Sequence, residues 1–255
     1  MATDSVPNPA ARHPCEFKLK KYQTVFTCYI CMVESYDTER YRCDHCDRAR
    51  HKGCFRLRDA IQLKDAPDGI FKGWGRFELK PTPQTEPDSK NKKWAAYCVV
   101  CGMHIKYYSY HYRHSKDKKD VNMHPCCAAL IGHDDEVKPL PYDLQLRENN
   151  SCFWCGSNRP QGASKVGPTK FFCWSYQLRD GKNNRIHVHC YSEMVIQALR
   201  IVQSDDNIDD DGRIRIILKP RGNQDANKLV ETAITTALEL VLGDPIEILL
   251  SWLVE

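Results

Sequence analysis

The sequence has no long apolar run near its start. The first 17 residues, MATDSVPNPAARHPCEF, contain no apolar core of the length that a signal peptide requires. The apolar stretches near the other end are interrupted by acidic residues and by Gly243-Asp244-Pro245, so they do not form a transmembrane helix. We therefore expect a protein of the cytoplasm, the nucleus or both, which is neither secreted nor membrane-spanning.

Motifs of the common zinc enzymes are also missing. The chain lacks the His-Glu-x-x-His motif of metalloproteases, and no Cys-x2-Cys pair follows Cys54 closely, as a cross-braced ubiquitin-ligase adaptor requires. It has no dense basic stripe of the nucleic-acid-binding kind, although residues 1–130 hold 23 Lys and Arg against 15 Asp and Glu. We expect a protein that is not an enzyme, has no small-molecule substrate and suits an acidic partner at its N-terminal half.

Cysteine, in contrast, is abundant. The 255 residues include 14 cysteines and 10 histidines, and packing alone does not call for so many cysteines. In a reducing compartment, Cys-x2-Cys pairs with histidine nearby are typical of metal ligation. The alternative, a secreted protein stapled by disulfides, is disfavoured by the missing signal peptide.

One arrangement occurs three times, a Cys-x2-Cys pair followed by His-x2-Cys. Two thiolates on one tight turn, completed by a distant imidazole and thiolate, make a tetrahedral zinc site. Zinc is the expected ion because soft thiolates with one imidazole suit it, and a site with four protein ligands needs no redox activity. The predicted ligands are Cys28, Cys31, His51 and Cys54; Cys98, Cys101, His124 and Cys127; and Cys152, Cys155, His187 and Cys190.

A fourth site is predicted from the pair left over in the first repeat. In a cross-braced module the first and third ligand pairs share one metal, so Cys43 and Cys46 need two further ligands. His13 and Cys15 are the best-placed candidates, and we expect three to four zinc ions per chain. His45 is a competing candidate, and a solvated loop position is the simpler interpretation of it.

In the other two repeats the sequence does not decide between all candidate ligands. In the second, His111-x2-His114 is a possible substitute for the missing middle pair, although an exposed Tyr- and His-rich loop is the simpler explanation. Cys126 competes for the fourth ligand position of the same repeat. In the third, Cys173 has no partner, and a lone cysteine is usually a small buried apolar residue.

These elements predict a small zinc-rich α+β fold. We expect three tandem zinc-braced modules of short antiparallel β-hairpins with a short helix each, followed by a C-terminal helical extension. Modules of about 50 residues bury too little apolar surface to offset chain entropy, so the metal should decide whether they fold. The predicted boundaries are 1–12 for a disordered leader, 13–66 for the first module, 67–93 for a connecting strand and loop, 94–132 for the second module, 133–203 for the third module with its linker, 204–212 for an acidic linker, and 213–255 for a strand and the C-terminal helices.

Local patterns give further expectations. The apolar spacing in YSEMVIQALRIVQ predicts an amphipathic helix, and RIRIILKP predicts a strand. A hairpin is expected where Phe17 and Phe26 lead to the first cysteine pair, and a short helix is expected over FRLRDAIQLKD. Gly243 should close one C-terminal helix, and Pro245 suits the first turn of the next.

The ordered motifs resemble a known family. HPCEFKLKKYQTVFTCYIC, YRCDHC and HKGC, followed by YCVVCG, MHPCC, CFWCG and HVHC, are similar to the plant cysteine/histidine-rich proteins built of divergent phorbol-ester/diacylglycerol-type zinc domains. The resemblance covers about residues 13–203. It implies zinc as cofactor and a regulatory role in intracellular signalling. The first loop, KKYQTVF, lacks the Pro of the lipid-binding members, and the segment DTERYR before Cys43 lacks their Gln-Gly pair, so diacylglycerol binding does not carry over.

Three binding functions are considered. The first is a zinc-binding scaffold for protein partners, contacted through an exposed aromatic loop at 107–112 and the C-terminal helices. The second is a peripheral membrane or lipid binder, and the third is nucleic-acid binding. The residues that would contact an acidic partner are Lys20, Lys21, Tyr22, Arg48, Arg50 and Lys52. A solvated charged face is the simplest alternative for them.

Overall fold

A computed structural model describes residues 16–36, 39–63, 75–83, 96–116, 119–131, 143–146, 152–158, 174–177, 185–202, 214–218 and 248–252. Within these ranges the fold is α+β, with few helices and many short strands. The helices are α1 (Lys52–Phe55), α2 (Pro125–Ile131) and α3 (Val188–Val202). The strands are β1 (Phe17–Lys21), β2 (Phe26–Thr27), β3 (Glu34–Ser35), β4 (Glu39–Cys43), β5 (Ala49–Arg50), β6 (Ala60–Ile61), β7 (Phe77–Pro81), β8 (Tyr110–Lys116), β9 (Lys119–Met123), β10 (Asp143–Leu146), β11 (Trp174–Gln177), β12 (Arg185–His187), β13 (Ile214–Leu218) and β14 (Ile248–Trp252).

The strands form small, mostly antiparallel sheets. Their orders are β1-β4-β5, β2-β3, β6-β7-β8-β9 and β10-β11-β12, and a parallel pair joins β13 to β14. The expected hairpin from Phe17 to Phe26 is wrong, because β1 pairs with β4 and places Phe17 opposite Cys43. The first strand is thereby tied to the middle cysteine pair of its repeat.

The segment expected to connect the first two modules is part of a sheet. Its strand β7 lies between β6, from the end of the first repeat, and β8 of the second. Phe77 and Leu79, two residues apart on one face of β7, are buried in the core. Strand pairing therefore continues from the first repeat into the second.

The helix expected over FRLRDAIQLKD is wrong from Arg56 to Leu63, and the last two residues lie outside the described chain. Helix α1 ends at Phe55, and the chain then leads into β6. The Tyr112 hydroxyl accepts a hydrogen bond from the Arg58 amide at 3.3 Å and donates one to the Arg58 carbonyl at 3.1 Å. These tertiary bonds and the pairing of β6 with β7 satisfy backbone groups that a short isolated helix could satisfy only weakly.

The amphipathic helix expected in the third repeat is confirmed as α3. Its apolar stripe, which includes Met194, Val195, Ala198 and Leu199, is fully buried. The strand expected at RIRIILKP is also present, as β13. Among the described helices, none has both the length and the apolar character needed to cross a membrane.

The C-terminal prediction is wrong where the structure describes it. Residues 248–252 form strand β14, paired in parallel with β13, and not a helix. A short apolar run such as ILLSW has no periodicity that separates helix from strand, and pairing with β13 decides between them. The rest of the predicted helices, the leader 1–12 and the linker 204–212 lie outside the described residues.

The second and third repeats share one apolar core, and the first repeat has a smaller buried cluster of its own that packs beside it. A cluster of buried side chains runs from Leu63 to Leu199 and includes the cysteines of the second and third repeats. Tyr36 of the first repeat packs against this cluster, with its ring 6.4 Å from that of Tyr191. An ion pair between Glu34 and Arg200 joins the same two repeats. Packing between repeats thus supplies burial that no single repeat has.

Gly53 lies where α1 meets α2. A Cβ atom added to Gly53 would overlap the Cβ of Ala129 in α2, so the two helices approach closely only because this position has no side chain. We expect Gly53→Ala to lower the free energy of unfolding by about 1–3 kcal/mol through overpacking, despite the higher helix propensity of alanine. Urea unfolding of the full chain measures this change.

Gly75→Ala is the matched control for that substitution. A Cβ atom at Gly75 would lie 3.4 Å from the His114 ring, which is an ordinary contact distance. If Gly53→Ala and Gly75→Ala unfold at the same urea concentration as the unmodified chain, α1 and α2 are not in close contact.

Candidate metal centres

Cysteine and histidine side chains converge in three clusters. In each of them the four ligand atoms lie within 4.8 Å of one another, and all four side chains are buried. The clusters are Cys28, Cys31, His51 and Cys54; Cys98, Cys101, His124 and Cys127; and Cys152, Cys155, His187 and Cys190. The structure thus brings together the three sets of ligands expected from the repeated spacing.

The same backbone turn carries the first cysteine pair of every cluster. The residue after the second cysteine donates its amide to the carbonyl of the first, at 2.8–2.9 Å in the three repeats. This residue has positive φ, 56° at Met32, 76° at Gly102 and 66° at Gly156. The chain reverses within four residues, so both sulfurs of a pair can face a single point.

The repeats differ in the residue that has positive φ, which is methionine in the first repeat and glycine in the other two. Gly156 is exposed, so Gly156→Ala should cost about 1 kcal/mol of stability from backbone strain alone, without a steric clash. Met32→Ala should be close to neutral, because Met32 already bears the strain of a side chain at positive φ. Paired urea denaturation curves measure both, and an equal loss in the two variants would contradict this explanation.

The second half of each site is bonded to the first. The residue after the first cysteine donates its amide, at 2.9 Å in each repeat, to the carbonyl two positions before the histidine, which is that of Ala49, Asn122 or Arg185. The histidine then directly precedes a helix, α1, α2 or α3, and the last cysteine lies in its first turn. Side chains three positions apart lie on the same face at such a helix start, so His-x2-Cys brings both ligands together.

The spacing of the ligand atoms fits zinc. The Sγ–Nδ1 distances are 3.4 and 3.5 Å at His51, 3.4 and 3.9 Å at His124, and 3.6 Å twice at His187. A tetrahedral ion with Zn–S of about 2.3 Å and Zn–N of about 2.0 Å requires an S–N separation of about 3.5 Å. Nδ1 is therefore the histidine atom that would bind the metal in all three clusters.

The electrostatics of the clusters also favour a cation. Burial lowers the pKa of His187, but the thiolates of Cys152 and Cys155 outweigh burial and raise that pKa to about 9. The pKa of His124 is likewise raised well above its usual value, because Cys101 and Cys98 oppose the effect of burial. Buried thiolates thus attract positive charge to the centre of the second and third clusters, and a divalent ion would supply it without a proton.

Arg50 adds a buried positive charge beside the first cluster. Its side chain is 1% exposed, and its guanidinium lies 4.0 Å from the centre of the Phe17 ring. Burial lowers the pKa of Arg50, whereas the charges of Cys28 and Cys54 oppose that shift. In the described part of the chain, Nε and Nη2 of Arg50 have no hydrogen-bond partner. The prediction that Arg50 contacts an acidic partner is therefore wrong, because its charge faces the metal cluster.

The other residues expected to contact an acidic partner remain nearer the surface. Lys20 forms an ion pair with Asp44 at 2.5 Å, and Lys52 forms one with Glu39. Lys21 is exposed, and the half-buried Tyr22 ring lies under the guanidinium of Arg40. Arg48 is exposed and lies 4.1 Å from the centre of the Tyr29 ring.

Cys43 and Cys46 form a fourth turn of the same kind. The Asp47 amide donates to the Cys43 carbonyl at 2.9 Å, and Asp47 has φ of 60°. The pair belongs to none of the three clusters found within the described residues. His13 and Cys15, the expected partners, lie outside those residues. His45, the competitor, is exposed.

The structure separates the two adjacent cysteines of the second repeat. Cys127 belongs to the second cluster, whereas Sγ of Cys126 lies 3.8 Å from Sγ of Cys31 in the first cluster. Sequence spacing does not reveal this position for Cys126, because its neighbour comes from a different repeat. Cys173 lies outside the described residues.

The aromatic loop expected at 107–112 is mostly not exposed. Tyr108 is 55% exposed, but His111 and Tyr112 are buried in strand β8. His111 and His114 are three positions apart on this strand and so point to opposite faces. Burial lowers the pKa of His111 to about 4, and neither histidine belongs to a metal cluster of the described chain.

Repeated clusters of three cysteines and one histidine characterise the described part of the chain. The twelve cysteines that the structure describes form no disulfides, and nine of them lie in the three repeated clusters, each of three cysteines and one histidine, that could hold metal ions. Comparison of the chain with protein families, with curated proteins and with solved structures finds no match. The proposed function therefore rests on the fold and on the three clusters.

Proposed function

We propose that this chain binds zinc at the three clusters and at a fourth site. Three thiolates and one imidazole form a donor set that zinc favours, and their separations suit a zinc tetrahedron. The fourth site would join Cys43 and Cys46 to His13 and Cys15. Its support is the Cys43–Cys46 turn, which repeats the hydrogen bonding and positive φ of the other three turns.

The zinc sites are proposed to be structural, and the chain is proposed not to be an enzyme. A catalytic zinc keeps one coordination position open for water or substrate. Here each cluster offers four protein ligands, and all four side chains are buried. The observation that carries the proposal is this complete, enclosed ligand set.

We further propose that the chain is a scaffold that binds protein partners. The resemblance to proteins with divergent phorbol-ester/diacylglycerol-type domains supports this, because it implies a regulatory role in intracellular signalling. The second and third repeats share a core against which the first repeat packs, and a scaffold of this kind can present surface side chains in fixed positions. Among the described residues, the large apolar side chains that remain exposed are Leu19, Tyr29 and Tyr108, at 46%, 41% and 55%. Exposed aromatic residues are common anchors in protein interfaces.

The metal count tests the zinc proposal. Native mass spectrometry of the full chain should show four zinc ions, and Cys43→Ser should show three because it removes a ligand of the fourth site only. Cys126→Ser is the control, since Cys126 lies outside the clusters, and it should keep four. Three ions in the unmodified chain would overturn the fourth site, and none would overturn the zinc proposal altogether.

A second candidate function is binding of an anionic lipid headgroup. A cavity of about 510 Å³ lies on the first repeat, and three arginines, Arg40, Arg42 and Arg48, are among its lining residues. Arg42 is paired with Asp47, so Arg48 is the more accessible cation. Liposomes with and without anionic lipid, sedimented with the chain and with Arg48→Gln, test this. Equal sedimentation of the unmodified chain and Arg48→Gln would remove this candidate. Binding to nucleic acid that falls steeply as the salt concentration rises would favour the remaining candidate, a nucleic-acid-binding protein.

A further inference from the structure

A fifth thiol lies beside the first metal cluster. Sγ of Cys126 lies 3.8 Å from Sγ of Cys31, and a side-chain interaction also links Cys126 to Cys54. Cys126 is nevertheless outside the set of four mutually close ligands. It therefore contacts one edge of the cluster from outside and does not occupy a ligand position.

The helix α2 explains how one segment reaches two clusters. Successive residues on an α-helix point about 100° apart, so the neighbours Cys126 and Cys127 face different directions. Cys127 faces the second cluster, and Cys126 faces the first repeat across the contact between α1 and α2. That contact is close because Gly53 meets Ala129 there.

Cys126 also has more exposed surface than the cysteines of the first cluster. Cys28, Cys31 and Cys54 have no exposed surface. Cys126 is half-buried, a property that it shares with Cys46 among the described cysteines. An oxidant dissolved in water therefore meets Cys126 before it meets the cysteines of the first cluster.

We propose that Cys126 is a site of oxidation by peroxides, and that its oxidation leads to a disulfide with Cys31 that opens the first metal cluster. The proposal rests on zinc binding at that cluster, as proposed above. The two sulfur atoms must approach from 3.8 Å to about 2.0 Å, a movement that a side-chain rotation with a small shift of α2 can supply.

The reaction has two steps. In the first, the Cys126 sulfur loses its proton to solvent and attacks one peroxide oxygen, the O–O bond breaks, and the hydroxide that leaves takes up a proton as water. Cys126 is then a sulfenic acid, oxidised by two electrons, and hydrogen peroxide is reduced. In the second, the Cys31 thiolate, which would otherwise hold the ion, attacks the Cys126 sulfur. The S–O bond breaks, hydroxide leaves as a second water, and a disulfide remains.

The disulfide changes both the metal site and the contact between repeats. Only three ligands of the first cluster remain, Cys28, His51 and Cys54, so its hold on the ion weakens. At the same time the bond joins the first cysteine turn covalently to α2 of the second repeat. A dithiol reductant attacks the disulfide and returns both cysteines to thiols, so the change is reversible.

The test uses the zinc-loaded full chain and hydrogen peroxide at one equivalent. Released zinc is followed with a chromogenic chelator, and the disulfide is located by peptide mapping without reduction. We expect release of one ion per chain together with a Cys31–Cys126 peptide, and recovery of the ion on addition of a dithiol and zinc. Cys126→Ser should keep its full zinc content before treatment and release zinc about tenfold more slowly. Cys126→Ala serves as a second variant if the serine disturbs folding, judged by near-ultraviolet circular dichroism.

Cys46→Ser is the comparison variant, because Cys46 is the other half-buried cysteine of the described chain; it removes a proposed ligand of the fourth site and should therefore start with one zinc ion fewer. After treatment with hydrogen peroxide, the Cys46→Ser variant should still form the disulfide-linked Cys31–Cys126 peptide. Zinc missing from the untreated chain would overturn the proposed function itself. With zinc bound, the oxidation proposal is overturned by release at the unmodified rate from Cys126→Ser, by a disulfide to Cys127 in place of Cys31, or by loss of an ion from untreated Cys126→Ser, which would make Cys126 a ligand.

Discussion

Replacement of Cys98 by serine is expected to unfold the second and third repeats together. Cys98 is completely buried, belongs to the second cluster and lies within the apolar core that both repeats share. A structural zinc site contributes on the order of 10–16 kcal/mol, which is comparable with the whole stability of a domain at about 5–15 kcal/mol. Loss of one ligand should therefore affect residues far beyond the site itself.

Limited proteolysis followed by mass spectrometry measures this outcome. We expect new cleavage sites throughout residues 96–131 and 185–202 in Cys98→Ser, together with loss of the near-ultraviolet circular dichroism of the aromatic side chains. Cys126→Ser carries the same chemical change outside the clusters and should remain resistant. If removal of zinc by a chelator leaves both signals unchanged, the apolar core alone holds the repeats together, and the structural role of the metal is wrong.

Replacement of Arg50 by methionine is expected to destabilise the first repeat by about 3–5 kcal/mol, because it leaves a buried negative charge without its partner. A zinc ion with three thiolates and one imidazole carries a net charge of −1. Arg50 is buried and interacts electrostatically with Cys28 and Cys54 of that site. Methionine is an unbranched apolar side chain, and it removes the guanidinium charge together with its cation–π contact with Phe17.

Arg48→Met provides the matched control, since Arg48 lies two positions away and is exposed over Tyr29. Urea unfolding with zinc in excess should show a large loss for Arg50→Met and little change for Arg48→Met. Competition with a chelator should show weaker binding of one zinc ion in Arg50→Met, and Arg50→Lys should restore part of that affinity. Equal stability of the two methionine variants would show that Arg50 does not compensate the charge of the site.

The candidate ligands were predictable because they depend on short-range geometry. Two cysteines on one reversed turn, or a histidine and a cysteine at the start of a helix, face the same way whatever the rest of the chain does. The repeat of this order three times then indicates which halves belong together. Helix α3 was predictable for a similar reason, since the period of its apolar residues is a local property.

Side-chain surroundings set by distant segments were not predictable in this way. Arg50 reads as a surface charge in the sequence, yet β5 directs it inward, where the cluster supplies negative charge. Cys126 reads as an alternative ligand of the second cluster, yet it lies beside Cys31, 95 positions earlier in the chain. Strand β14 reads as part of a helix, and only its pairing with β13 shows otherwise.

The sequence by itself determined the three sets of candidate metal ligands, because their spacing encodes the turns and helix starts that orient each half-site. Only the tertiary structure decided how the repeats meet. Sheet β6-β7-β8-β9, the contact between Gly53 and Ala129 and the shared core all join residues that are far apart in the chain. Such contacts depend on shape complementarity between distant surfaces, and no local pattern of residues records that complementarity.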